Sequence, residues 1–380
     1  MTPAPASERR IDALDGLRGL AALTVVMHNL LLIQTPTGPG SHLLVALLDR
    51  GWIGVQLFFV LSGFLITGIL LDARGQALTH FFARRVLRIF PLYYGTLLVV
   101  LVLLPTLGAL PASFHRDPAH EAWFWVYLSN WIGPYFQGAG PFPHFWSLAV
   151  EEQFYLLWPF LVGRRTPHQV VLLSLAVAAL GPLSRALLLG LGQPEQTAYQ
   201  FTVCRIDGLA LGAAAAAAWR VDAWSERLVV HAPRLAAAAA LVLLLGALPT
   251  HAYRIFGWWP QVLGYSALAV AFALGVLAIA VGRGVREGLA GRVLCHPGLR
   301  RVGQYSYGMY VLHVPLHMIV GLPLLARWGL AHPYPTAVAV AYVGVGTLVS
   351  YALAVTSYHA FEIHFLRLKD RYPRAAPLAA

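Results

Sequence analysis

Apolar residues in this chain fall into runs of 17–25, set apart by short polar stretches rich in arginine. A run of that length, wound as an α-helix, crosses a hydrocarbon layer of roughly 30 Å. The pattern predicts an all-α, polytopic membrane bundle of ten helices, at 17–33, 52–71, 90–110, 145–162, 169–191, 201–219, 235–248, 259–281, 305–326 and 336–358. The seventh is short and alanine-rich, and the fourth and sixth carry charges. The whole chain reads as a single membrane domain ending in a polar tail at 367–380.

Composition agrees with the pattern. Of the 380 residues 58% are hydrophobic and 11% charged, too little polar surface to coat a soluble globule. The net charge of +11 would suggest nucleic acid as the partner of a soluble protein; here its distribution matters more. With the N-terminus in the cytoplasm, 21 of the 27 basic residues fall on cytoplasmic segments. Only Arg50, Arg116, Arg254 and Arg327 fall outside, and Arg185 and Arg205 lie within membrane segments. The positive-inside rule therefore puts both termini in the cytoplasm. Arg9 and Arg10 before an apolar stretch can mimic a secretory signal, but no small-residue cleavage site follows, so the stretch reads as a retained helix. Cys204 and Cys295 fall near opposite faces of the bilayer, too far apart to pair, and neither sits in a metal spacing. The outer loop from 111 to 144 holds Trp123, Trp125, Tyr127, Trp131, Tyr135 and Phe136, and reads as an interfacial or re-entrant element.

Ionisable side chains inside membrane helices are costly, and are functional candidates for that reason. His28 falls eleven residues into the first predicted helix, near the midplane, with Arg18 at the helix entrance. Such a histidine can be a base, a ligand or a packing residue. The fourth helix carries Glu151 and Glu152, which point about 100° apart. One faces either a polar cavity or a cation such as Arg205 or Arg185. Arg205 and Asp207 diverge on the sixth helix, so each needs a partner on another helix. His313 and His317 share a face of the ninth helix at metal-binding spacing. No carboxylate motif accompanies them, so they read as the lining of a substrate path rather than a metal site. Arg85 and Arg88, three apart, share a face if the third helix extends back to them. Their guanidinium forks suit a phosphate, or the headgroups of anionic lipid.

Taken in order, these segments resemble the acyltransferase-3 family of bacterial membrane O-acyltransferases. The likeness runs through Leu14-Asp15-Gly16-Leu17-Arg18-Gly19 and His28, then Phe58 to Ile66 around Ser62-Gly63, then Arg85, Arg88 and Pro91. It continues in Trp146-Ser147-Leu148 with Glu151, Phe154 and Tyr155, in Arg205-Ile206-Asp207-Gly208, and in Ser306-Tyr307 with Tyr310 and His313. One departure stands at the end, where His364 follows Glu362-Ile363 in the place of the family's proline. The resemblance implies a multi-pass protein of the bacterial cytoplasmic membrane. It would transfer an acyl group, often acetyl, from acyl-coenzyme A to a sugar hydroxyl of a surface polysaccharide, lipid-linked glycan or glycosylated metabolite. It implies no resident cofactor and no metal.

Under that implication Arg85 and Arg88 hold the donor's phosphates, and Arg18 anchors or orients it. His28 removes the acceptor's proton, and Glu151 orients the imidazole as the acid does in a triad. Ser62, Trp146, Ser147, Arg205, Asp207, Tyr307 and His313 line the substrate path. A covalent acyl intermediate on His28 stays open; Ser62 and Ser147 are weaker nucleophiles, lacking a base at fixed spacing. The competing expectation is a proton-coupled transporter or flippase, which buried His, Glu, Arg and Asp would equally serve.

Overall fold

The computed structural model describes residues 11–32, 38–73, 78–111, 114, 118–131, 142–330 and 333–372. Arg9, Arg10, Arg74, Arg116, Arg374, Tyr135 and Phe136 lie outside them, as do residue 33 at the predicted end of the first helix and the tail beyond 372.

Each of the ten predicted segments is helical. The helices are α1 (Asp12–Asn29), α2 (Ile53–Asp72), α3 (Leu78–Leu97), α4 (Phe145–Val162), α5 (Pro167–Gly190), α6 (Thr202–Ala218), α7 (Ala232–Ala247), α8 (Tyr265–Val281), α9 (Pro297–Leu316) and α10 (Thr336–Ser357). No strand occurs among the described residues. Among the described residues seven helical stretches are long and apolar enough to cross a membrane; an eighth is reached if α7 and the helix Asp222–Val230 before it, bent 75° apart, make one span. The chain is a multi-pass membrane protein. The two predicted spans outside that set are α1, which holds Asp12, Asp15 and Arg18, and α4, which holds Glu151 and Glu152.

Two differences from the expected boundaries bear on the site. Helix α1 starts five residues early, with Asp12 and Asp15 in its first turn, where carboxylates offset the helix dipole. It gives out at Asn29, so His28 is its penultimate residue and not its midpoint. Helix α3 starts at Leu78, twelve residues early, and Arg84, Arg85 and Arg88 ride on it. It runs on through a π-helical stretch, Leu98–Leu103, to Thr106.

Glycines let the central helices touch backbone to backbone. A Cβ on Gly63 would stand 1.8 Å from the Leu209 carbonyl oxygen, and one on Gly212 would stand 2.0 Å from that of Val60, so α2 and α6 meet reciprocally. Gly19 and Gly303 do the same for α1 and α9, at 2.2 Å from the Leu299 oxygen and 1.9 Å from the Asp15 oxygen. Small residues at helix crossings are how membrane bundles gain packing where no hydrophobic drive separates helix from lipid. Around them lies an outer shell of exposed apolar side chains, among them Leu156, Leu157, Phe160, Leu183, Leu244 and Leu348.

The segment after α3 is packed rather than laid along a surface. Its helix Pro118–Trp125 is fixed by Tyr93 and Tyr94, whose hydroxyls donate to the carbonyls of Phe124 and Trp125 at 2.7 and 3.0 Å. Phe124 and Tyr127 are buried, whereas Trp131 is exposed.

Candidate active site

A cavity of about 1530 Å³ lies between α1, α2, α3, α4 and α9. Its lining reveals its direction. Helices α1 and α3 line it from their beginnings, α9 from Gly303 onward, and α2 and α4 to their ends. All of these meet at one end of the bundle, the one that carries Arg84, Arg85, Arg88, Arg164 and Lys369. The cavity stops inward at Val55, Ser147 and Tyr310.

Three guanidinium groups dominate the wide part. Arg18 of α1 and Arg88 of α3 line it, and neither makes a hydrogen bond or ion pair with any described residue. Arg85, one turn before Arg88, lies over the Tyr155 ring at 4.2 Å, and its Nε is buried without a partner. Arg84 donates instead to the carbonyls of Lys369 and Tyr372, at 3.0 and 2.8 Å, and ties the C-terminal segment beside the mouth. Arg220 grips Asp72 with two bonds of 2.6 Å and closes another side of the mouth.

Helix α4 turns three consecutive polar residues to three destinations, as the 100° step requires. Glu151 accepts from the Ser62 hydroxyl at 2.8 Å and from the Tyr155 hydroxyl at 3.1 Å. Glu152 lines the cavity with no hydrogen-bond partner among the described residues. Gln153 donates to the Tyr127 carbonyl at 2.8 Å and to Asn130 Oδ1 at 2.9 Å, holding the segment before α4. Glu362, from a π-helical turn after α10, and Tyr307, whose hydroxyl donates to the Ile89 carbonyl at 2.7 Å, complete the polar lining.

The expected set thus divides. Arg18, Ser62, Arg85, Arg88, Ser147, Glu151 and Tyr307 share the cavity. Trp146, Arg205, Asp207 and His313 do not line it. Asp207 pairs with Arg185 at 2.8 Å and accepts from Ser266 at 2.8 Å, all sealed between α5, α6 and α8. Arg205 donates to Gln56 at 2.8 Å and lies over the Tyr265 ring at 4.3 Å, so neither arginine reaches a glutamate of α4. His313 and His317 part company: His313 Nε2 meets Asn29 Nδ2 at 3.0 Å, and His317 Nδ1 meets the Tyr342 hydroxyl at 2.6 Å.

The pairing of His28 with Glu151 is not formed. His28 stands ten residues, about 15 Å, along α1 from Arg18, in the helix's last turn. It sits beyond the cavity's closed end, packed against Gly51. Its Nδ1 lies 3.0 Å from the Leu48 carbonyl. A carbonyl can only accept, so Nδ1 carries the proton and Nε2 the lone pair. The Leu48 carbonyl does for the ring what Glu151 was expected to do. The cavity's end is nevertheless close: Val55 follows Gly51 by one helical turn, about 6 Å.

Glu152, Tyr155, Tyr310 and Glu362 belong to the lining that sequence reasoning gave no role. For Glu152 the signal was the adjacent pair itself, of which only one could face Ser62.

Residues 11–355 match the family model described as an acyltransferase domain, known as acyltransferase-3. The peptidoglycan O-acetyltransferase OatA of Listeria monocytogenes is 29% identical over 82% of this chain and 50% of its own length. The putative peptidoglycan O-acetyltransferase YrhL of Bacillus subtilis is 28% identical over 93% of this chain and 54% of its own. The O-acetyltransferase OatA of Staphylococcus aureus is 29% identical over 83% and 52%. The chain spans about half the length of these curated relatives. No solved structure matches it. A match that runs through the arginine-lined cavity and nearly the full bundle gives the assignment: the chain belongs to the acyltransferase-3 family of membrane acyltransferases.

Proposed function

We propose that this protein moves an acyl group, acetyl first among them, from acyl-coenzyme A to a hydroxyl of a cell-wall glycan of the peptidoglycan kind. The observation that carries the reading is the cavity in which Arg18 and Arg88 stand without a protein partner beside Arg85. Three guanidinium groups gathered inside a membrane protein are expensive unless opposite charge completes them; Glu151, Glu152 and Glu362 share the lining, but none is hydrogen-bonded to Arg18, Arg85 or Arg88, which leaves those forks open to an anionic ligand. A phosphate-rich, elongated donor does so, and bidentate guanidinium–phosphate bonds fix its orientation. The volume exceeds the 300–1,000 Å³ usual for a small-molecule site, as a nucleotide with a long arm requires. Arginine counts on the loops point the mouth at the cytoplasm of a bacterium, where the donor is made.

In this reading the phosphates rest at Arg85 and Arg88, Arg18 steers the arm inward, and the thioester arrives at the end marked by Val55 and Tyr310. His28, held by Leu48 with Nε2 free, accepts the proton of the glycan hydroxyl. Glu151, locked to Ser62 and Tyr155, shapes the wall instead of orienting the imidazole. Transport gives way as an explanation because the family is one of acyltransferases.

The test is thiol release from acetyl-coenzyme A by the purified full chain, with and without peptidoglycan fragments. Release that depends on the fragments, together with an acetyl ester on the glycan, is the expected result. Acceptor-independent silence with gradient-driven uptake of solute would return the transporter. Replacing Arg88 by Ala should raise KM for acetyl-coenzyme A about 10- to 100-fold, the worth of one charged hydrogen-bonding pair. Its kcat should change far less.

A further inference from the structure

Behind the cavity's closed end lies a polar group that the proposed reaction has not used. His144 caps α4, is 5% exposed, and makes no hydrogen bond of good geometry at either ring nitrogen, although the backbone carbonyls of Tyr310 and Val311 lie near it. A buried imidazole left so forfeits its hydration without recompense, and an orphan of this kind calls for an occupant.

Its surroundings say what the occupant meets. Ser147, one turn along α4, and Tyr310 of α9 close the cavity with their hydroxyls 2.5 Å apart. The Tyr310 hydroxyl also lies 3.0 Å from the His144 carbonyl, and its ring is 5.3 Å from the imidazole. On the other side stands His313, with ring centres 4.9 Å apart. The carbonyl of Tyr310, 2.8 Å from His313 Nδ1, fixes that ring's proton. Its Nε2 therefore accepts from Asn29, the chain neighbour of His28. Ser147, Tyr310, His313 and Asn29 are all engaged with one another or with backbone, whereas the imidazole of His144, beside Tyr310 and His313, is left to receive a ligand.

We propose that His144 donates a hydrogen bond to the acyl carbonyl of the donor thioester, beyond the Ser147–Tyr310 pair. The inference rests on the functional reading above. The acyl end of the donor displaces the Tyr310 hydroxyl from Ser147 and brings its carbonyl oxygen to the His144 N–H. The acceptor oxygen attacks the carbonyl carbon as its proton passes to His28 Nε2. The resulting oxyanion keeps the His144 hydrogen bond. The carbon–sulfur bond then breaks, the thiolate takes the proton from the His28 imidazolium, and ester and free thiol leave. His144 ends as it began, a fixed donor in a water-poor site, where such donors act most strongly.

The experiment compares the parent chain with His144→Leu and His144→Gln, using acetyl-coenzyme A and peptidoglycan fragments. Turnover is counted per folded molecule, from the thermal unfolding transition of each preparation. His144→Leu should lose kcat by about 100-fold with KM for acetyl-coenzyme A within about threefold. His144→Gln, which still presents an N–H, should regain about tenfold of the loss. Unchanged kcat in both variants, or equal losses in the two, overturns the proposal. A lowered unfolding midpoint with normal turnover per folded molecule overturns it too, by making His144 a packing residue. An inactive parent sinks the functional reading and this inference together; an active parent with indifferent variants sinks the inference alone.

Discussion

Arg185 and Asp207 are both fully out of solvent and only one strong ion pair joins them. Their energetics differ from those of the cavity arginines. A sealed pair is neutral as a unit, and removing one member strands the other's charge. Asp207→Ala should therefore destabilise the bundle by about 3–5 kcal/mol, read as a fall in unfolding midpoint and yield of monodisperse protein. Arg88→Ala should cost far less, because Arg88 makes no hydrogen bond or ion pair with a described residue and only faces Glu362 across the cavity. The two substitutions separate what holds the molecule together from what it holds for a ligand. Sequence alone flagged all of these charges by the same argument, their cost in lipid. It could not sort them, because sorting depends on which helix stands opposite. Glu151 and Glu152 show this in one step of backbone: the 100° splay was readable, but not that Ser62 would stand before the first and open space before the second.

At the scale of helices, periodicity and length were enough to locate every long element, and α4 begins and ends where the apolar run does. Prediction failed where a helix begins in polar residues. The α3 boundary was set at Phe90 because Arg84, Arg85 and Arg88 read as loop, yet its first turns stand at the cavity wall, where guanidinium groups find open space. In α1 the cue was present and passed over: Asp12 and Asp15 are first-turn residues, and counting from them places His28 at the helix end. The expected His28–Glu151 partnership came from likeness to a triad and assumed a meeting of α1 and α4; His28 instead meets the Leu48 carbonyl. Glycine contacts were not legible either, since the sequence shows small residues without their partners. They yield a firm expectation. Gly63→Leu or Gly212→Leu must push α2 and α6 apart, costing about 1–3 kcal/mol or more for overpacking, whereas Gly344→Leu meets nothing within 4 Å and should be tolerated. Unfolding midpoints in detergent distinguish the three.

Among the described residues the cavity lies toward the arginine-rich end of the bundle, and the two free cysteines lie at different depths. Cys204 is buried, and Cys295, partly exposed, sits just before α9 at the arginine-rich end. A membrane-impermeant maleimide should leave intact cells unlabelled and should modify Cys295 once the membrane is permeabilised. Labelling of intact cells at Cys295 would invert the topology and put the donor mouth on the wrong side. The expected orientation rests on 21 basic residues against 4, an aggregate that does not hang on any single helix end, and this labelling is its test.

The unpartnered guanidinium row has a kinetic corollary. A grip on phosphates does not distinguish a loaded carrier from a spent one, since both bear the same anionic head; it is uniform binding, which tightens every bound state alike. With the proposed donor, coenzyme A released by turnover should therefore linger and compete with its acylated form. It should also protect the empty protein against heat by relieving repulsion among Arg18, Arg85 and Arg88. The rate of such an enzyme would follow the cell's ratio of acylated to free carrier, rather than the abundance of either, making wall modification a readout of metabolic charge.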